Sequence, residues 1–240
     1  IDIGPTVLTM RKVFDQIFSD IGEKTDERVT LQPSEILARH IWPDGASLDL
    51  FTDPERSREA IKEFAGNKEA EGFWRFRSYA AQIYEACENL FMFSPDPSFW
   101  NLAKRAGPDG MSLPFKIDSL RSMWRALSSF FAEPRLKKLF ARYATYYGSS
   151  PFSAPATLNL IAGLELQGVW LVKGGMGQLA NAFVDASRER GVELRNNTHV
   201  SQIRIEGGVV RGVELDNGEV VDADIVIFNG DIAALGDGSV

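Results

Sequence analysis

Hydrophobic and polar positions along the chain predict three zones. In residues 1–53, a helical pattern from Val13 to Ile21 precedes two apolar runs that flank Pro43-Asp44-Gly45, a sequence typical of the turn in a hairpin. From residue 53 to 167 the apolar spacing is mainly helical. Residues 168–240 alternate short strands with one helix, which is typical of an α/β layer.

The second zone contains sequences that typically begin a helix. Asp53-Pro54-Glu55, Glu133-Pro134 and Ser153 to Pro155 each place a capping side chain or a proline where a helix can begin. Aromatic residues cluster here, and an ordinary packed interior explains most of them. The apolar run at residues 89–100, NLFMFSPDPSFW, has a second interpretation as a lip that contacts a membrane.

The third zone opens with the segment Gly168 to Ala182, where an apolar strand meets Gly174-Gly175 and then a helix. Such a turn brings bare backbone and unpaired N–H groups close to a ligand, although glycine pairs are also common at ordinary strand-to-helix turns. Hairpin turns are predicted at Gly207-Gly208 and Asn217-Gly218. A buried strand is predicted from Ile225 to Phe228.

Composition limits the class of protein. The 240 residues are 44% hydrophobic and 25% charged, as expected of a globular chain of one or two domains. The net charge of −7 argues against a nucleic-acid partner. The single Cys87 excludes an internal disulfide, and two histidines with one cysteine give no zinc-ligand spacing, so no metal is expected. With no long apolar run or leader pattern, a cytoplasmic protein is the expectation.

Four segments together resemble one known family. They are the opening IDIGPTVLT, the run RHIWPDGASLDLFTD, the run YATYYGSSPFSAPATLNLI leading to GVWLVKGGM, and the closing GVELDNGEVVDADIVIFNGD. In order and spacing these segments resemble the phytoene-desaturase-like carotenoid oxidoreductases, FAD enzymes related to the amine oxidase superfamily. Within that family the sequence of these segments is most similar to the hydroxyneurosporene or methoxyneurosporene desaturases, which introduce a 3,4 double bond.

The resemblance implies an α+β fold, FAD as cofactor and a carotenoid or other isoprenoid as substrate. Residues 1–53 would form a mixed unit on the flavin side, residues 53–167 the substrate-binding region, and residues 168–240 part of the FAD-binding domain. The residues that it places beside the cofactor are Gly4, Pro5, Thr6, Gly174, Gly175, Met176, His199, Val200, Asn229, Gly230 and Asp231.

On the substrate side the resemblance places Tyr143, Thr145 and Tyr146, whose hydroxyls would orient a terminal 1-hydroxyl group. No catalytic residue is assigned. Arg142 and Glu165 are the ionisable groups nearest in sequence, and either is a candidate to assist proton loss.

The family's glycine-rich fingerprint and its closing glycine-rich segment have no counterpart in this sequence. We therefore expect an internal piece of a longer protein that by itself neither retains FAD nor turns over. A sheet edge left without its partner strands would favour association, such as a homodimer. The substrate class also makes peripheral contact with a membrane an expectation.

Two functions from other classes remain open. An amine-oxidase-type flavoenzyme would share the FAD layout and act on small polar amines, although the apolar helical zone weighs against it. A non-catalytic module that binds isoprenoids or lipids would keep the flavin elements as relics. Carotenoid binding with and without FAD separates the second alternative from an enzyme.

Overall fold

The computed structural model describes residues 6–88 and 113–237. The chain divides into two compact units, unit 1 with residues 1–182 and unit 2 with residues 183–240. Helices and small antiparallel sheets make up the described residues, which confirms the predicted α+β class. The three predicted zones and their functional meaning stay a prediction.

Helices dominate unit 1. Those within it are α1 (Arg11–Asp20), α2 (Thr25–Arg28), α3 (Pro54–Ala65), α4 (Asn67–Cys87), α5 (Leu113–Lys116), α6 (Met123–Ser128), α7 (Pro134–Ala141) and α8 (Leu160–Glu165), with 3-10 helices at Arg142–Tyr147 and Ala156–Asn159. The first helix begins two residues earlier than predicted, directly after Met10, which adopts left-handed backbone. Helix α9 (Met176–Arg188) continues from unit 1 into unit 2.

Aromatic side chains fill the core of unit 1. Phe76 of α4 lies 4.7 Å, centroid to centroid, from Phe140 of α7, and Phe140 stacks on Phe131 at 5.0 Å. All three rings are buried. Burial of rings of this size contributes about 2–3 kcal/mol each, so for these residues the simple interpretation as core is confirmed.

Two predicted helix starts are confirmed by their capping bonds. The Asp53 carboxylate accepts a hydrogen bond from the backbone N–H of Glu55 at 2.9 Å, and Pro54 occupies the first helical position. Glu133 does the same for Arg135 at 3.3 Å, ahead of α7. The third predicted start, at residues 153–155, leads into the 3-10 helix and then α8.

Unit 1 contains two small antiparallel sheets. Strand β2 (Ile36–Ile41) pairs with β3 (Ser47–Phe51), which confirms the hairpin, and Gly45 in its turn has a φ of +82°. Strand β1 (Leu31–Pro33) pairs with β4 (Trp170–Val172), far away in the sequence.

Unit 2 contains a three-stranded antiparallel meander of β5 (Val200–Glu206), β6 (Val209–Leu215) and β7 (Val220–Asp222), followed by α10 (Ile232–Asp237). The predicted turns at residues 207–208 and 217–218 are confirmed, with positive φ at their glycines. At Gly212 a Cβ would lie 2.1 Å from the Val221 carbonyl oxygen, so only glycine lets β7 approach β6 this closely.

The prediction of a buried strand from Ile225 to Phe228 is wrong. The segment forms no strand, and the side chains of Ile225 and Ile227 are 78% and 88% exposed. Within the described chain, the meander ends at β7, and no strand pairs with the backbone of this segment. Its apolar sequence favours burial, but a strand can be buried in a sheet only where a neighbouring strand pairs with its backbone.

Candidate functional site

The turn between β4 and α9 exposes backbone where the sequence predicts a cofactor. Gly174 and Gly175 have φ values of +86° and +93°, a conformation that glycine adopts without strain. The N–H of Gly175 donates to the Val172 carbonyl at 2.9 Å, and α9 begins at Met176. The turn is therefore tight, and its two glycines bring no side chain of their own, although Gln178 Cγ lies 3.1 Å from the position of a Cβ on Gly174.

Thr6 lies on the chain segment that pairs with β4. Leu8 exchanges two backbone hydrogen bonds with Trp170, each 2.8 Å long, in an antiparallel bridge. Because these two segments of the chain run in opposite directions, the end of the first segment at Thr6 approaches the end of the second at Gly174. The structure thus brings together two of the predicted cofactor segments, while Gly4 and Pro5 lie outside the described residues.

A cavity of about 360 Å³ lies in unit 2 between the meander and residues 226–229. Three predicted cofactor residues, His199, Val200 and Asn229, belong to its lining. The remaining lining is apolar and consists of Ile203, Val213, Val226, Ile227 and Phe228. A mostly apolar wall with two polar groups suits a flat heterocyclic ring.

Gly230 and Asp231 have structural roles next to this cavity. A Cβ on Gly230 would lie 2.6 Å from the Phe228 ring. The Asp231 carboxylate accepts a hydrogen bond from the N–H of Ala233 at 3.0 Å and so caps α10. Their predicted contact with a cofactor stays a prediction.

The three predicted substrate residues differ in accessibility. Tyr143 is buried, and its hydroxyl accepts a 3.0 Å hydrogen bond from Arg142. The Thr145 hydroxyl donates to the Arg142 carbonyl at 2.6 Å. Tyr146 is exposed, and no hydrogen bond of its hydroxyl is seen among the described residues. Its hydroxyl is therefore the one best placed to meet a ligand.

Arg142 is the centre of a polar cluster beneath these residues. Its guanidinium lies 2.5 Å from Glu165 Oε1 and 3.2 Å from His40 Nε2. Since guanidinium only donates, that histidine nitrogen is the unprotonated acceptor. The sequence indicated Arg142 and Glu165 only as neighbours of the tyrosines. It gave no signal for His40, which lies on strand β2 of the hairpin.

Burial sets the protonation behaviour of this cluster. It raises the pKa of Tyr143 well above its usual value, and the nearby Glu165 carboxylate adds to the shift although Arg142 opposes it. Burial, assisted by the charge of Arg142, lowers the pKa of His40, with Asp49 opposing. Tyr143 is thus a neutral phenol and His40 a neutral imidazole at pH 7.

Two negative findings apply to residues 6–88 and 113–237. No group of three or more His, Cys, Asp or Glu side chains gathers in a way that would hold a metal ion. None of the helices there combines the length and the apolar character needed to cross a membrane.

Comparison with known proteins identifies the family. The sequence matches the flavin-containing amine oxidoreductase family over residues 1–237. The hydroxyneurosporene desaturase of Rubrivivax gelatinosus is 46% identical over 239 residues, which cover 99% of this chain and 46% of that protein. The hydroxyneurosporene desaturase of Cereibacter sphaeroides is 43% identical over 235 residues, which cover 98% of this chain and 47% of that protein.

A more distant relative has a different named activity. The 4,4'-diapolycopene oxygenase of Methylomonas sp is 34% identical over 229 residues, which cover 95% of this chain and 46% of that protein. The chain thus spans about half the length of the relatives it matches. The resemblance seen in the sequence is confirmed. Because the family model matches nearly every residue, this chain belongs to the flavin-containing amine oxidoreductase family.

Proposed function

We propose that this protein is an FAD-dependent desaturase that removes two hydrogens from an apolar polyene, with a 1-hydroxy- or 1-methoxy-carotenoid as substrate and the 3,4 bond as the site of reaction. The observation that carries the proposal is the 42–46% identity to three hydroxyneurosporene desaturases over at least 98% of this chain. The aligned residues cover at least 98% of this chain, so they include the glycine turn and the cavity of unit 2.

The residues present fit FAD in two places. The apolar cavity of about 360 Å³ beside His199 and Asn229 suits the flat adenine ring. The backbone of Gly174 and Gly175 allows a flavin to approach closely, because glycine has no side chain and any other residue would strain the turn at these positive φ values. When bound, FAD supplies a hydride acceptor, which no protein side chain provides.

The chain's own contribution on the substrate side is to orient the polyene. Tyr143 is held by Arg142 and stays neutral, so it supports the 3-10 helix and does not contact substrate directly. Tyr146, three residues further, is 71% exposed and has a hydroxyl that can donate to the oxygen at carbon 1 of the substrate. This contact would favour 1-hydroxy- and 1-methoxy-carotenoids over hydrocarbon polyenes.

Turnover in the natural full-length polypeptide tests the proposal. With FAD and 1-hydroxyneurosporene, the product has one more conjugated double bond, so its absorption moves to longer wavelength. Tyr146→Phe removes the hydroxyl, and we expect KM for the 1-hydroxy substrate to rise about five- to tenfold, the effect of one lost hydrogen bond. Tyr147→Phe, on the equally exposed neighbour, is the control and should leave KM unchanged.

Other outcomes would point elsewhere. Oxidation of small amines with no change in the carotenoid spectrum would favour an amine oxidase. Carotenoid binding in detergent that is independent of FAD and never followed by turnover would favour a non-catalytic isoprenoid-binding module. An unchanged KM in Tyr146→Phe would remove the hydroxyl from the substrate site without affecting the desaturase assignment.

The substrate class has a consequence for location. Long apolar polyenes reside in bilayers, so a protein that acts on them must reach the membrane surface. We therefore place the protein peripherally on a membrane, facing the cytoplasm. The predicted lip at residues 89–100 lies outside the described residues.

A further inference from the structure

Positive charge is concentrated in one part of the sequence. Residues 113–153 contain seven Lys and Arg but only two Asp and Glu, a formal charge of +5. Since the whole chain carries −7, the remaining residues carry −12. This segment runs from α5 through α6, α7 and the 3-10 helix to the loop that follows, all within unit 1. It therefore differs in sign from the rest of the protein.

Part of this charge is already neutralised. Arg121 pairs with Asp118, Arg135 with Glu133 and Arg142 with Glu165. By contrast, Arg125, Lys137 and Lys138 form no ion pair with any carboxylate in the described part of the chain. Three cations thus remain available to an external anion.

Exposed aromatic rings belong to the same segment, and one of these cations contacts an aromatic ring that packs on them. Tyr146, Tyr147 and Phe152 are 71%, 75% and 65% exposed, and they lie within seven residues of each other. The Phe152 ring is 4.9 Å from that of Trp124, centroid to centroid, and the Lys137 amine is 5.5 Å from the Trp124 centroid. The loop is held against α6 by the N–H of Trp124, which donates to the Pro151 carbonyl at 3.0 Å.

Such an arrangement is costly in water. Each exposed ring forgoes about 1–3 kcal/mol of burial, and a clustered aromatic patch commonly marks an interaction site. Tyrosine and tryptophan favour the boundary between water and lipid, because their rings are apolar and their polar ends can remain hydrated. Lysine combines an apolar stem with a charge that reaches the head groups.

We propose that this surface, formed by Trp124, Lys137, Lys138, Tyr146, Tyr147 and Phe152, docks on an anionic lipid bilayer. Charge complementarity selects the occupant, because an anionic bilayer attracts the +5 segment and, within it, Lys137 and Lys138, which pair with no carboxylate of the described residues. Tyr146 then lies at the interface where a polyene leaves the membrane. The inference rests on the proposed function in one respect, because the carotenoid substrate is the reason for the protein to approach a membrane.

Vesicle flotation without substrate tests this docking, so its failure is distinguishable from failure of the desaturase assignment. The full chain is mixed with vesicles of phosphatidylcholine alone or of phosphatidylcholine with phosphatidylglycerol. We expect binding to the anionic vesicles that weakens as salt rises. Lys137→Gln with Lys138→Gln should weaken it about 30-fold, since each basic residue near such a surface contributes about a factor of five.

Matched variants separate this surface from general charge. Lys68→Gln with Arg75→Gln removes the same charge from exposed positions on α4 and should change binding less than about twofold. Tyr147→Ser with Phe152→Ser should weaken binding to both kinds of vesicle without changing the salt dependence. Circular dichroism establishes that each variant is folded, and the single changes Lys137→Gln and Tyr147→Ser replace a pair that is not.

Three results would overturn the proposal. The first is wild-type protein that does not float with anionic vesicles. The second is a control pair on α4 that weakens binding as much as the pair on α7. The third is a variant of Lys137 and Lys138 that binds vesicles as the wild type does but has a different oligomeric mass in light scattering. The surface would then bind a second copy of the protein.

Discussion

Gly163 and Gly177 differ in what a methyl group would meet. In α8, a Cβ on Gly163 would lie 2.6 Å from the Ala80 carbonyl oxygen of α4, whereas Gly177 in α9 has open space around it. We expect Gly163→Ala to lower the free energy of unfolding by about 2–4 kcal/mol, because two helices must separate. Gly177→Ala should raise it by a few tenths to about 1 kcal/mol through backbone entropy.

Denaturant unfolding of the two variants measures this difference. Gly72→Ala extends the series, since its Cβ would approach the Phe130 carbonyl oxygen to 2.2 Å, and it should behave like Gly163→Ala. Equal stability of Gly163→Ala and Gly177→Ala would contradict the close approach of α4 and α8.

His40 predicts a pH dependence of stability. Burial and the charge of Arg142 lower its pKa from 6.5, so the folded chain binds this proton less well than the unfolded chain. The stabilisation is therefore complete above about pH 6.5 and is lost as the pH falls below this value through the lower pKa of the folded state. Urea unfolding between pH 7.5 and 5 measures it.

His40→Gln isolates the contribution of this one residue. Glutamine keeps an acceptor for Arg142 but does not titrate. Its stability should therefore fall less steeply than that of the wild type on acidification, with carboxylates contributing equally to both curves. Parallel curves for the two proteins would show that His40 is not the group responsible.

At the scale of elements, the cap of α3 is a local interaction with a measurable effect. Asp53→Ala removes the carboxylate that accepts the N–H of Glu55, and we expect the unfolding free energy to drop by about 1 kcal/mol. Glu59→Ala removes an exposed carboxylate from the same helix, together with its surface pair to Lys62, and should cost less than about 0.5 kcal/mol. Thermal unfolding of both variants compares them. Similar losses would mean that charge, and not the cap, matters.

Elements with local signals were predictable from the sequence. The turn of the β2–β3 hairpin, the caps at Asp53 and Glu133 and the glycine turns of the meander each depend on residues within four positions of one another. The segment from Ile225 to Phe228 shows the limit of this information. Its apolar pattern is genuine, but whether it becomes a strand depends on a neighbour that local sequence does not specify.

Long-range contacts account for what the sequence did not reveal. The bridge between Leu8 and Trp170 brings the predicted cofactor segments together, and nothing near either residue indicates the pairing. His40 reaches Arg142 across 102 positions in the same way. Motif resemblance predicted Gly174, His199 and Asn229 as cofactor residues, which stays a prediction, and only the coordinates show that His199 and Asn229 line one cavity.

For the molecule as a whole, exposed isoleucines predict self-association. Ile225 and Ile227 protrude from a segment without a strand partner among the described residues, so a second copy can bury them. We expect light scattering to detect a dimer that Ile225→Thr with Ile227→Thr weakens at least tenfold, about 1.4 kcal/mol of lost burial. Val209→Thr with Val220→Thr, exposed on β6 and β7, is the control. A monomer at all concentrations would refute the expectation.

The pairing of β1 with β4 has a consequence for synthesis on the ribosome. Some 140 residues separate Leu31 from Trp170, and at ordinary elongation rates they take about 7–30 s to emerge. During that interval residues 31–33 exist without the strand that completes their sheet, while most of the helices of unit 1 already have their sequence. The helical core can therefore form first, and the nascent chain completes this sheet only when Trp170 emerges.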